Sequence, residues 1–91
     1  MPETYEKKFK VTRVQTGVRM EARMVKVLKG LAEYLEMSLG DLLEGIVLHA
    51  FEGRGPFGEL SLEKIAQLKK VYDMDFGAEA SHHMFEEGED A

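Results

Sequence analysis

Apolar and polar side chains alternate from Thr12 to Met20, which is the pattern of a short β-strand. One face of this strand carries Val14, Thr16, Val18 and Met20, and the other carries Arg13, Gln15, Gly17 and Arg19. A single strand leaves a row of backbone N–H and C=O groups unpaired, so it needs a neighbour. A second copy of the chain is the simplest source of that neighbour.

The following residues predict two helices that are separated by a short turn. Apolar side chains recur every three or four positions over residues 21–36, and again over residues 39–51. Ser38 fits the N-cap of the second helix, and Asp41 stands three residues later, as in a capping box. The second helix is apolar over a broad arc, which favours contact with more than one neighbour.

The pattern divides the chain into three parts. Residues 1–11 are mostly polar and charged, and predict a flexible N-terminal arm. Residues 12–53 form the strand–helix–helix unit, which ends at a glycine- and proline-rich linker. Residues 54–91 form a C-terminal extension, with a helix capped by Ser61 expected over about 61–72. The acidic sequence that follows predicts a disordered tail.

The composition indicates one small globular domain. The chain has 91 residues, 44% of them hydrophobic, and it lacks cysteine, which excludes a disulfide framework and a thiolate metal site. A core of this size is marginal and gains from oligomerisation. No apolar run approaches the roughly 18 residues that span a bilayer, and the first residues lack the apolar stretch of a secretory signal. We therefore expect a cytoplasmic protein that does not enter a membrane.

Charge is distributed unevenly along the chain. The net charge is −5, but residues 1–30 contain eight basic and three acidic residues, which gives +5. Residues 31–91 contain the other four basic residues and fourteen acidic ones, which gives −10. The eight basic residues of the first part are Lys7, Lys8, Lys10, Arg13, Arg19, Arg23, Lys26 and Lys29. A basic strand and first helix suit contact with phosphate, so the negative total does not exclude a DNA partner.

Catalytic and metal-binding patterns are weak. No Ser–His–Asp, paired-carboxylate or phosphate-loop arrangement stands out, so we expect neither enzymatic activity nor a cofactor. His82 and His83 are adjacent on the predicted tail, where a defined three- or four-ligand geometry is rare, and we expect no metal site. His49 is expected to be packed on the inner side of the second helix.

Residues 13–51 resemble the ribbon-helix-helix family of DNA-binding repressors and antitoxins. The resemblance is carried by Val18-Arg19-Met20 at the strand end, Leu31-Ala32-Glu33, Ser38, the Ile46-Val47 pair and Phe51. It implies a mostly α fold with one short β-strand, in which two chains form an intertwined homodimer. The two strands would pair into an antiparallel ribbon that enters the major groove of DNA.

The resemblance also assigns roles to individual residues. The set that would read bases is Arg13, Gln15, Gly17 and Arg19. The set that would contact phosphate consists of the amides of Ser38, Leu39 and Gly40, together with Arg23 and Lys26. The set that would form the dimer core is Val14, Val18, Leu28, Leu31, Leu35, Leu42, Leu43, Ile46, Val47 and Phe51. The family usually has a left-handed glycine two residues before the serine, where this chain has Glu36.

The expected function is that of a sequence-specific DNA-binding regulator of transcription, a repressor, which binds double-stranded DNA as a homodimer; the sequence leaves open whether dimers form higher-order assemblies on DNA. In one alternative the protein is an antitoxin, whose acidic residues 54–91 wrap a basic toxin. In another it is a DNA-independent interaction module, in which residues 54–91 bind a protein partner and the dimer is a scaffold. Salt-dependent binding to duplex DNA distinguishes the first hypothesis from the last.

Overall fold

The computed structural model describes residues 8–88, and regular structure within this range is helical. The elements are α1 (Ala22–Tyr34), α2 (Leu39–Phe51), α3 (Glu59–Val71) and a 3₁₀ turn (Ala78–Ala80). Helix α1 contacts both α2 and α3, so it is the central helix. Most of the predicted N-terminal arm, residues 1–7, lies outside the described residues, as do the last three residues of the predicted tail.

The first two predicted helices are confirmed as α1 and α2, with the ends of α1 one or two residues shorter than expected. Each helix begins at a side chain that caps a free backbone N–H. Ser38 Oγ accepts a hydrogen bond from the Asp41 N–H at 3.0 Å, which confirms the predicted cap of α2. The carboxylate of Glu21 accepts one from the Met24 N–H at 2.9 Å and caps α1 in the same way.

The predicted β-strand over residues 12–20 is wrong, and with it the two-stranded ribbon of the predicted fold class. Residues 8–20, called the N-terminal segment below, contain neither helix nor strand. Within the described residues no backbone–backbone hydrogen bond involves residues 10–20, because this chain supplies no second strand to form a ladder with them. The ribbon-helix-helix assignment is therefore replaced by an all-helical arrangement, which points to a different fold.

Helix α1 ends at a residue with a left-handed backbone. Glu36 has φ 57°, and the Met37 N–H donates to the Ala32 carbonyl at 3.0 Å, which closes a Schellman motif. The left-handed position expected two residues before Ser38 is thus present, although it is not glycine. A left-handed backbone costs a non-glycine residue about 1–2 kcal/mol.

The core lies where α1 meets α2 and α3. Leu31, Ala32 and Leu42 are buried at its centre. The partly buried apolar residues around them are Leu28, Leu35, Ile46, Phe57, Ile65 and Leu68. Three of these six residues lie beyond residue 53, so the predicted boundary at 53 cuts through the core. Helix α3 completes that core and is not a separate extension.

Helix α3 begins two residues earlier than predicted. Its N-cap position is Gly58, so the predicted cap, Ser61, lies inside the first turn. Helices α1 and α3 approach closely at Gly30, where an added Cβ would lie 2.9 Å from Leu68 Cδ2. The absence of a side chain at Gly30 therefore allows this close helix contact.

Burial is low for a chain of this length. Among the described residues only Val27, Leu31, Ala32 and Leu42 are buried. The radius of gyration is 16.2 Å, whereas a compact domain of this length has about 12 Å. Large apolar side chains remain exposed, among them Phe51 on α2 at 81%. A single chain therefore leaves much apolar surface in water.

Candidate nucleic-acid interface

The N-terminal segment and α1 carry the densest positive charge. The described basic residues here are Lys8, Lys10, Arg13 and Arg19 on the segment and Arg23, Lys26 and Lys29 on α1. The segment contains no acidic residue, and all of its residues are exposed. Positive charge on such an exposed segment suits contact with an anionic polymer.

Arg13 connects the segment to the middle of α2. Its Nε and Nη2 donate to the two carboxylate oxygens of Glu44, each at 2.9 Å. This hydrogen-bonded pair raises the pKa of Arg13 and lowers the pKa of the Glu44 carboxyl. The same fork of donors recognises phosphate or the edge of guanine, so Glu44 occupies the group that would contact DNA.

Arg23, in the first turn of α1, is surrounded by acceptors. Its Nε donates to the Glu21 carboxylate at 2.9 Å, and its Nη1 donates to the Asp73 carbonyl at 3.0 Å. The Asp75 carboxylate lies 3.7 Å from Nη1, and the Phe76 ring centre lies 5.1 Å from Cζ. The hydrogen bond with Glu21 is the main cause that raises the pKa of Arg23, and it lowers the pKa of Glu21.

Two further cations meet residues beyond α3. The guanidinium of Arg19 is hydrogen-bonded to the Glu86 carboxylate. The ammonium of Lys26 lies 5.7 Å from the centre of the Tyr72 ring, within the range of a cation–π contact. Both contacts join the basic part of the chain to residues that follow α3.

The four residues predicted to read bases are all exposed, but they are not equally available. Gln15 faces solvent, and Gly17 is open, since no atom lies within 4 Å of a Cβ added there. Arg13 and Arg19 are each paired with a carboxylate. The structure therefore places Gln15 and Gly17 in the open and holds the two arginines in intramolecular contacts.

The amides predicted to contact phosphate lie at the N-terminus of α2. Ser38 and Gly40 are exposed, and Leu39 is half-buried. The first turn also carries Asp41, whose own N–H is already bonded to Ser38 Oγ. This helix end attracts anions through its dipole, but the Asp41 carboxylate offsets part of that attraction.

The residues predicted to form a dimer core divide into two groups. Those that lie in or against the core of one chain are Leu28, Leu31, Leu35, Leu42 and Ile46. Those left wholly or partly exposed are Val14, Val18, Leu43, Val47 and Phe51. Leu48, adjacent to this second group, is 63% exposed and was not expected to belong to it.

The sequence did not reveal the acidic partners of the arginines. Glu44, Asp75 and Glu86 lie between 31 and 67 residues from the arginines they contact. Asp75 and Glu86 stand in generally acidic sequence, Glu44 stands in an apolar helix, and no local spacing distinguishes any of the three. The only available signal was the opposite sign of the two parts of the chain, which predicts attraction without identifying the pairs.

The histidines differ in environment from what was expected. His49 is exposed, and its Nδ1 lies 2.7 Å from the Gly45 carbonyl, so the predicted packing on the inner side of α2 is wrong. His82 and His83 are exposed as well, and His82 has a left-handed backbone, φ 66°. Among residues 8–88, no three His, Asp or Glu side chains are grouped closely enough to hold a metal ion.

Over the range that the structure describes, no helix combines the length and apolar character needed to cross a bilayer.

Comparisons with models of protein families, with curated proteins and with solved structures gave no match to this chain. The resemblance to the ribbon-helix-helix family therefore gains no support from them. The ribbon that defines that family is also missing from residues 8–88.

Proposed function

We propose that the protein is a sequence-specific DNA-binding regulator of transcription, a repressor, and that it acts as a homodimer. The observation that carries this proposal is the N-terminal segment. It has four basic and no acidic residues, it is exposed throughout, and residues 10–20 make no backbone–backbone hydrogen bond within the described part of the chain. A basic segment whose residues 10–20 are not engaged in such bonds is suited to a groove of duplex DNA, where phosphates attract it and base edges offer donors and acceptors.

Arg19 and Gln15 are the residues we assign to base recognition. An arginine fork matches O6 and N7 of guanine, and a glutamine amide matches N6 and N7 of adenine. Both side chains are exposed on the segment. Lys8 and Lys10 supply contacts to phosphate, which strengthen binding to all sequences alike.

The homodimer is supported by the composition of α2. Of its thirteen residues, only Asp41, Glu44 and His49 are charged or titratable. A helix that is apolar on nearly all sides is normally buried on all sides. One chain covers only the side of Leu42, and leaves Val47 43%, Leu48 63% and Phe51 81% exposed.

A second copy of this chain is the partner that best fits the exposed side of α2. Residues 43, 47 and 51 recur at intervals of four, so they form one apolar row along the helix. Gly40 and Ala50 flank this row and are small enough to let a second helix come close. The nearby Glu44 is neutralised by Arg13, so two copies of α2 meet without two unpaired carboxylates.

The test is selection of bound duplexes from a random pool, followed by titration of a selected duplex and a scrambled one. We expect Arg19→Ala to cost about 1–3 kcal/mol on the selected duplex and to relax preference at one base pair. Gln15→Ala should act in the same way at a different base pair. Arg54→Ala is the matched control, because it removes the same charge from an exposed arginine between α2 and α3.

The proposal fails if the selection returns no preferred sequence. It also fails if Arg19→Ala and Gln15→Ala change affinity no more than Arg54→Ala does. Either outcome would remove the case for sequence-specific recognition by the N-terminal segment and would favour the alternative of an interaction module.

A further inference from the structure

Residues 72–88, called the C-terminal segment below, lie against the start of α1. Their contacts converge on Arg23, which donates to the Asp73 carbonyl at 3.0 Å, lies 3.7 Å from the Asp75 carboxylate and stacks over the Phe76 ring. This arrangement differs from the disordered tail expected from the sequence. The described part of that tail is folded back on the basic part of the chain.

The same segment reaches two more of the cations assigned to DNA. Glu86 is paired with Arg19, and the Tyr72 ring lies under the Lys26 ammonium. The segment contains five acidic residues and neither lysine nor arginine. Carboxylates and phosphates are bound by the same arginine donors, so a guanidinium that serves one cannot serve the other in the same geometry.

We infer that the C-terminal segment is an intramolecular competitor of DNA, which contacts Arg19, Arg23 and Lys26 until a duplex displaces it. This inference rests on the proposed function and adds the regulation of the same surface. When a binding-competent form is only a fraction of the population, the apparent dissociation constant rises by the inverse of that fraction. The segment would therefore weaken binding to every duplex and would favour sequences that make enough contacts to displace it.

The contacts are of a kind that a duplex can break. The Asp75 side chain is 89% exposed, so its attraction to Arg23 is screened by water and salt. Between the segment and helices α1 and α3 lies a half-open pocket of about 550 Å³, lined mostly by apolar residues that include Met24, Ile65, Phe76 and Met84. An interface with such a gap is incompletely packed, and its apolar contacts hold the segment less firmly than a filled core would.

The test compares two double variants that remove the same charge from different places. Asp75→Asn with Glu86→Gln neutralises the carboxylates that face Arg23 and Arg19. Glu59→Gln with Glu63→Gln neutralises two exposed carboxylates on α3 and is the matched control. Affinity is measured on the full-length proteins by fluorescence anisotropy, with a labelled duplex of arbitrary sequence as the probe. The arginines themselves stay unchanged in both variants.

We expect the Asp75/Glu86 variant to bind the duplex roughly 3- to 10-fold more tightly than the control variant at low salt, since it loses two intramolecular ion pairs. The difference should shrink in about 0.3 M salt, where exposed pairs are screened. If the two variants gain affinity equally, the gain comes from the change in net charge and not from the loss of specific contacts. That result would overturn the inference but would leave the proposed DNA binding in place. If none of the proteins binds duplex DNA, the proposed function fails, and the inference fails with it.

Discussion

The arginines are held by residues that lie far from them in the chain. Arg13 is bound by both oxygens of Glu44, and Arg19 is bound by Glu86. Exposed ion pairs of this kind add little to stability, because water and salt screen their attraction. Their larger effect is on whether the arginines are available to DNA, because each guanidinium can bind either an internal carboxylate or an external phosphate. The proposed control of DNA binding follows from this choice between partners.

A separate effect at the residue scale concerns the turn after α1. Glu36→Gly should stabilise the protein by about 0.5–1 kcal/mol, because relief of the left-handed strain exceeds the extra flexibility of the unfolded chain. Urea unfolding followed by circular dichroism measures the change. Glu33→Gly, three residues earlier and inside α1, should instead destabilise the protein by about 1 kcal/mol. A loss of stability in Glu36→Gly would contradict the strain at this position.

At the scale of the elements, the sequence predicted features that depend on local signals better than features that depend on distant contacts. Helix α2 was predicted to its last residue, because its periodicity, its cap at Ser38 and its stop near Gly53 are all local in sequence. Residues 12–20 do alternate in polarity, but the strand that this alternation predicted does not form. A ladder requires a second strand, and a pattern within one segment does not supply it.

The packing of α3 into the core was not predicted, for a related reason. Its own periodicity predicted a helix, but nothing local indicates that Ile65 and Leu68 complete a core that contains the distant residue Leu31. Gly30 was a usable signal. A glycine inside a helical pattern often marks close approach of another element, and α3 makes that approach here.

The packing of α3 gives a prediction at the same scale. Leu68→Ala should destabilise the protein by about 1–2 kcal/mol, less than a fully buried leucine, because Leu68 is only half-buried. Leu60→Ala is the matched control on the same helix, where the side chain is 75% exposed. It should change the free energy of unfolding by less than about 0.5 kcal/mol. Equal effects in urea unfolding would place α3 outside the core.

For the whole molecule, the shortage of buried surface is the decisive property. A core of four buried residues among those described, with α2 apolar on its outer side, does not account for a stable monomer. The proposed homodimer supplies the missing cover without any strand pairing. It also doubles the basic segments presented to DNA, so that two half-sites are bound by one particle and the affinities reinforce each other.

The assembly can be tested on the exposed row of α2. We expect the full-length protein to sediment as a dimer, and its unfolding midpoint to rise with protein concentration, because dissociation and unfolding are coupled. Phe51→Asp should convert it to a monomer of lower stability, since each copy would bury an unpaired carboxylate in an apolar contact. Leu60→Asp introduces the same charge at a comparably exposed leucine on α3 and should leave the dimer intact. A wild-type protein that sediments as a monomer with concentration-independent melting would refute the homodimer, whereas loss of the dimer in both variants would show that α2 is not its specific contact.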